Sequence, residues 1–161
     1  MSAQVCCRAL LAVAASLCLA GCFGIPISDV PPAGARSVEI YVVRQQAFRG
    51  SLISDYVLLD GIAIAKLGNG EYTKFSVSEG EHTLAIQWRQ LFYGPYLDSV
   101  RFDARAETGG HAFLTYFLPS APPKDPPGAD LDYSKGRIFD ELVWGELDRY
   151  LKDKAYVPAG R

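Results

Sequence analysis

Cysteine is scarce in this sequence and is confined to its first 22 residues. The 161-residue chain has four cysteines, and all of them lie there: Cys6, Cys7, Cys18 and Cys22. The residues that follow Cys22 contain none. A domain built from those residues therefore has no disulfide, no thiol nucleophile and no thiolate metal site.

Histidine is nearly absent too, and neither sign of charge dominates. His82 and His111 each begin a predicted strand and have no cysteine or second histidine close by, which favours structural roles over metal binding or general-base catalysis. The net charge of −2 gives no basic excess for nucleic acid. No G-x-S-x-G, H-E-x-x-H or phosphate-cradling glycine motif occurs, so we expect no enzyme activity, no cofactor and no metal.

The apolar residues near the N-terminus are typical of a secretory signal. Residues 9–19 are almost wholly apolar and follow a single basic residue, Arg8. The stretch is too short for a membrane-spanning helix, which needs about 20 residues. Small residues, Ala20 and Gly21, then precede Cys22, as at a cleavage site. A plain signal or transmembrane segment with an incidental cysteine is the alternative.

The four residues Leu19-Ala20-Gly21-Cys22 resemble the lipobox of bacterial lipoproteins. The resemblance implies that residues 1–21 are a signal peptide and that Cys22 carries acyl chains such as palmitate, which anchor the protein in a membrane. Phe23 stands where inner-membrane lipoproteins often carry Asp. The resemblance thus implies the outer membrane, facing the periplasm. Residues 22–36, rich in proline and glycine, are predicted to form the lipidated N-terminus and a flexible tether.

From Ser37 onwards apolar residues recur at every second position, which predicts β-strands. Seven such stretches occur within about 80 residues, and Asp60-Gly61 between two of them is a strong hairpin signal. We predict a mainly β domain over residues 37–157, an antiparallel β-sandwich of about seven strands with a short C-terminal α-helix at about 145–154. Residues 137–144 fit either a last strand or an earlier start of the helix.

Two segments carry a resemblance to a known family. They are "VEIYVVRQQAFRG" and "VLLDGIAIAKLGNGEYTKFSVSEGEHTLAI". A first strand ending in Arg44, the Asp60-Gly61 hairpin, a glycine turn before an aromatic strand and a G-x-H-x-L segment resemble small bacterial lipoproteins of domain of unknown function 2846. The resemblance covers residues 37–118, although Gln45 stands where that family often has Pro. It implies an Ig-like or prealbumin-like sandwich and an envelope location, and no activity.

Two aromatic segments are candidates for binding a partner. In "RQLFYGPYL" the residues Phe92, Tyr93 and Tyr96 flank Gly94-Pro95 in a predicted loop, and exposed aromatic patches often mark recognition sites. The second candidate is the loop from Arg44 to Arg49, in which Phe48 lies between these two basic residues. The alternative for the first segment is that it folds back and caps one end of the core. The alternative for the second is a solvated loop with one anchoring Phe.

These features together predict a lipid-anchored, non-catalytic recognition or structural module of the bacterial envelope. Its partners would be the membrane, through the anchor, and an envelope protein or peptidoglycan. One alternative is an envelope hydrolase acting on cell-wall glycan, which needs two carboxylates across a cleft. Another is a small-ligand carrier, which needs an apolar cavity. Bulky inward positions, at Phe75, Trp88 and Phe102, indicate a filled core instead.

Overall fold

Strands dominate the computed structural model, which describes residues 24–47, 52–90, 94–117 and 137–160. The strands of these ranges are β1 (Ser37–Arg44), β2 (Asp55–Leu59), β3 (Ile62–Leu67), β4 (Glu71–Ser78), β5 (Gly80–Gln90), β6 (Gly94–Ala104), β7 (His111–Phe117), β8 (Arg137–Leu142) and β9 (Ala155–Tyr156). Helix α1 (Leu147–Leu151) follows a 3-10 turn, Trp144–Glu146, and a second 3-10 turn spans Ala106–Thr108. Strands hold 54% of the residues, which confirms the prediction of a mainly β protein.

The strands form two sheets that pack as a sandwich. One sheet has the order β8-β7-β1-β4-β9 and the other the order β3-β2-β5-β6. Most neighbours are antiparallel, as predicted, but β1 with β7 and β4 with β9 are parallel. The chain crosses to the other sheet between β1 and β4 and again between β4 and β7, so these three strands are neighbours in the sheet without being consecutive in the chain.

The Asp60-Gly61 hairpin between β2 and β3 is confirmed. Asp60 has φ 49° and Gly61 has φ 84°, the two positive values that a tight turn of this type needs. Further along the hairpin Val57 pairs with Ala65 while Leu58 pairs with Ala63. Ile64 is therefore the extra residue of a β-bulge, which locally bends the outer strand of the sheet.

Apolar side chains from both sheets fill the space between them. The buried cluster includes the inward residues predicted from the alternating pattern, among them Ile40, Phe75, Ile86, Trp88 and Phe102. Complete burial of a large apolar side chain contributes about 1.5–3 kcal/mol, so this cluster is the main source of stability.

A second, smaller apolar cluster covers the outer face of the five-stranded sheet. Val43, Ala112 and Leu114 of the sheet pack there against Leu147 of α1. The helix is shorter than predicted, because the chain leaves the helical conformation at Lys152, with ψ 129°, and turns through Asp153, with φ 61°, towards β9. Residues 137–142, left open by the sequence, form strand β8.

Gly110 lies where no side chain fits. It has φ +142°, and a Cβ there would lie 2.7 Å from the Glu39 carbonyl oxygen and about as close to the Trp144 ring. Gly110 thus lets Trp144 pack directly against the start of β7 and holds the C-terminal segment on the sheet.

We expect Gly110→Ala to lower the free energy of unfolding by at least about 2 kcal/mol, because it adds both backbone strain and overpacking. Urea denaturation followed by tryptophan fluorescence measures this. The matched control is Gly145→Ala, where a Cβ meets nothing within 4 Å and φ is not positive. Equal stability of the two variants would contradict the packing role of Gly110.

Candidate functional site

Several residues that the sequence proposed as functional fall outside the described ranges. These are Cys22, Phe48, Arg49, Phe92 and Tyr93. Their roles in lipidation and partner binding stay predictions.

Tyr96 lies in a strand and not in a loop. We predicted a loop between Arg89 and Leu97, but β5 runs to Gln90 and β6 begins at Gly94, with Tyr96 opposite Trp88 in the register. Pro95, the second residue of β6, does not interrupt the strand, because β6 is the edge strand of its sheet. Proline is tolerated on an edge, where its missing N–H costs no ladder hydrogen bond.

Arg44 lies inside the protein, although the sequence placed it in a candidate surface loop. The residue is 1% exposed. Its Nη1 donates a hydrogen bond to the Leu67 carbonyl oxygen at 2.8 Å, and its Nε lies 3.6 Å from Oδ2 of Asp55. Burial lowers the pKa of Arg44, while Asp55 and Glu71 oppose that shift. The guanidinium remains charged, since arginine is not deprotonated in proteins, and it is shielded from any external partner.

Asp55 is the acidic half of this buried pair, and sequence analysis missed it. It is fully buried, and the Thr115 hydroxyl donates a hydrogen bond to its Oδ2 at 3.4 Å. The contacts join β1 and β7 of one sheet to β2 of the other, with β3 held through Leu67. The sequence did contain a signal, because Asp55 has the same inward parity as Val57 and Leu59.

We expect Arg44→Met to destabilise the protein by about 3–5 kcal/mol, because it leaves the buried Asp55 carboxylate without its counter-charge. The double variant Arg44→Met with Asp55→Leu should lose less than the sum of the two single changes. Chemical denaturation measures both.

The control for this experiment is Arg105→Met, which removes an exposed ion pair with Asp103. Its denaturation midpoint should hardly change, because exposed pairs contribute little. Additive losses in the double variant would show that Arg44 and Asp55 are not coupled.

Both histidines hold structural positions beside carboxylates. His82 Nδ1 lies 2.8 Å from Oδ2 of Asp60, and its Nε2 lies 3.0 Å from the Ser78 carbonyl oxygen, next to the Glu79-Gly80 turn. His111 Nδ1 lies 2.5 Å from Oε1 of Glu141. The Phe102 ring lies between the two imidazoles, with centroid distances of 5.8 and 5.1 Å. Each histidine thus joins neighbouring elements at one end of the sandwich.

A shallow cleft of about 390 Å³ opens at the same end. It is lined by Glu81, His82, Thr83, Arg101, Phe102 and Asp103. Glu81 and Asp103 face each other across the β5–β6 ladder, and Asp103 accepts a 2.6 Å hydrogen bond from Nε of Arg105. Within the described ranges, no group of three His, Cys, Asp or Glu side chains is arranged to hold a metal ion.

Aromatic rings cover part of the outer face of the five-stranded sheet. Tyr41 stacks with Tyr72 at 6.4 Å and meets the edge of Trp144 at 5.7 Å. The Tyr41 hydroxyl donates to Glu39 at 3.2 Å. Burial, together with the Glu39 charge, raises the pKa of Tyr41. These rings pack against the C-terminal segment, which leaves Tyr156 48% exposed at the margin.

Residues 24–36, predicted as a flexible tether, lie along the edge of the four-stranded sheet. The Ser28 N–H donates to the Ala63 carbonyl oxygen at 2.8 Å, and Val30 packs against the main core. From the other end of the chain, the Gly160 N–H donates to the carbonyl oxygen of the bulge residue Ile64 at 2.7 Å. Both terminal segments thus cover the edge of β3, which protects it from pairing with another chain.

The path of this segment begins beside Tyr56. A Cβ on Gly24 would lie 2.9 Å from the Tyr56 hydroxyl, so the backbone there runs directly against that side chain. At the other end of the segment Arg36 lies 3.7 Å from Glu79. The attachment to the domain that contributes stability is therefore at Ser28 and Val30.

In the part of the chain that the structure describes, no helix is long and apolar enough to cross a membrane. Comparisons with known proteins found no family model, no curated protein and no solved structure that matches this chain. The resemblance to the small lipoproteins therefore stays a prediction from the residues quoted above.

Proposed function

We propose that this protein is a lipid-anchored lipoprotein of the bacterial envelope, and that its β-sandwich acts as a non-catalytic recognition or structural module. The observation that carries the proposal is the segment Leu19-Ala20-Gly21-Cys22 at the end of a signal-like apolar run. The fold is consistent with it, because residues that follow the proposed anchor form a β-sandwich.

The anchor would be permanent on the timescale of the cell. Each buried methylene of an acyl chain contributes about 0.8 kcal/mol, and the two or more chains of a lipidated cysteine together hold a small domain on a membrane. The proposed location is the outer membrane, with the domain facing the periplasm.

The polar groups that could support catalysis are used in the structure, which favours a non-catalytic role. His82 and His111 bind carboxylates that lie on neighbouring elements, and the Arg44–Asp55 pair is buried. A glycan hydrolase needs one carboxyl group in apolar surroundings so that it stays protonated. The carboxylates of the cleft, Glu81 and Asp103, are instead exposed.

The filled core favours a module that binds at its surface over a carrier of small ligands. A carrier needs an internal apolar cavity of several hundred Å³, on the order of 300–1,000 Å³. Here Trp88, Phe102 and Phe113 are buried between the sheets, in one cluster with the aliphatic side chains of both.

The test of the proposal is Cys22→Ala. We expect the variant to keep residues 1–21, to lack acyl chains and to leave the membrane fraction, because both cleavage and anchoring depend on the lipidated sulfur. Intact-mass spectrometry and membrane fractionation measure these outcomes.

The matched control is Cys18→Ala, which removes a cysteine four residues earlier in the same apolar run. It should be processed and anchored like the unchanged protein. A Cys22→Ala protein with unchanged mature mass and full membrane retention would overturn the proposal.

A further inference from the structure

We propose that one end of the sandwich lies directly on the bilayer, and that the lipid surface is the partner of this end. The inference rests on the proposed lipidation of Cys22 and adds the orientation of the domain. We call this end the anchor end. It comprises Leu52, which precedes β2, the start of β2 with Tyr56, the end of β3 with Lys66, and the turn from β3 to β4.

The position of Gly24 identifies this end. Gly24 lies against the Tyr56 hydroxyl, and Tyr56 is the second residue of β2, opposite Lys66 near the end of β3. The chain then runs along the edge of β3 past Ala63 and reaches Glu79 at the opposite end through Arg36. The chain that leads to the proposed anchor therefore leaves the domain at the anchor end.

The short connection makes contact with the membrane unavoidable. Only Phe23 separates Cys22 from Gly24, and two residues span at most about 7 Å. A free tether of fifteen residues would instead allow an average separation of roughly 20 Å. Because residues 24–36 are held on the domain, the acyl chains of Cys22 would keep the anchor end at the surface of the bilayer.

The side chains at the anchor end suit a lipid surface. Leu52 is fully exposed, and the Lys66 ammonium lies 5.6 Å from the centroid of the Tyr56 ring. Lys154 precedes Ala155, whose N–H donates to the Gly70 carbonyl oxygen in the turn of this end. Tyr56 itself is buried, so the groups that face outward are Leu52 and the lysines. An apolar side chain and lysines on flexible stems are groups that occupy membrane interfaces.

The opposite end carries an excess of negative charge, whereas at the anchor end Lys66 and Lys154 are balanced by Glu71 and Asp153. In the described part of the opposite end, acidic residues outnumber the three basic ones, Arg36, Arg101 and Arg105. The acidic residues are Asp60, Glu79, Glu81, Asp103 and Glu107. Anionic headgroups attract lysines and repel carboxylates within a Debye length of the surface. The charge distribution therefore favours the same orientation as the chain path, with the cleft facing away from the membrane.

The experiment uses a single introduced cysteine as a site for a fluorophore. After cleavage at the proposed position the only natural cysteine is the blocked Cys22, so each introduced cysteine is labelled alone. The matched pair is Leu52→Cys at the anchor end and Glu107→Cys at the opposite end, both at exposed positions. The full chain is expressed, purified in its lipidated form and reconstituted into vesicles of phosphatidylethanolamine and phosphatidylglycerol that contain a headgroup spin-labelled lipid.

In vesicles we expect the spin label to quench the fluorophore several-fold more strongly at position 52 than at position 107. In detergent without the spin label, neither fluorophore should be quenched. A flexible fifteen-residue linker inserted between Phe23 and Gly24 should remove most of the difference, because the domain is then free to turn. A difference that persists with the linker would overturn the role of the docked segment.

Equal quenching at both positions, or stronger quenching at position 107, would overturn the orientation. Intact mass separates this failure from that of the proposed function. A purified protein without acyl chains overturns both inferences, whereas a lipidated protein with equal quenching overturns the orientation alone.

Discussion

The buried pair of Arg44 and Asp55 is the constraint on which the arrangement of the two sheets depends. A charge inside a protein is costly unless a partner and hydrogen bonds compensate for it. Here the compensation draws on β1, β2, β3 and β7 together, because Leu67 accepts a hydrogen bond from Arg44 and Thr115 donates one to Asp55. The pair therefore favours one packing of the sandwich over others that would bury the same apolar area. It lies where the chain crosses between the sheets, beside the anchor end.

The two chain ends complete the fold by covering the edge strand β3. Ser28 and Gly160 donate to successive carbonyl groups at the bulge, those of Ala63 and of the bulge residue Ile64. This arrangement has two consequences. The edge is not free to pair with other proteins, and the segment that follows the proposed anchor becomes part of the domain. A region with the composition of a linker thus acts as a rigid connection.

The candidate site was only partly predictable from the sequence. The lipobox resemblance depends on four consecutive residues and needs no fold to be recognised. The prediction that Arg44 lies at the surface was wrong. Its guanidinium is buried because it pairs with Asp55, which belongs to the other sheet and is not adjacent in the sequence. The loop expected around Tyr96 was too long, since a proline is compatible with a strand when that strand is the edge of a sheet.

The sequence by itself determined the features that depend on neighbouring residues. The alternation of apolar and polar positions specified the strands of residues 37–117 and their inward faces, and Asp60-Gly61 specified a hairpin. Tertiary structure alone decided the parallel pairing of β1 with β7, the burial of Arg44, the early end of α1 and the docking of residues 24–36. Each of these depends on contacts between residues far apart in the chain. Their free energies come from packing and desolvation, which local patterns do not encode.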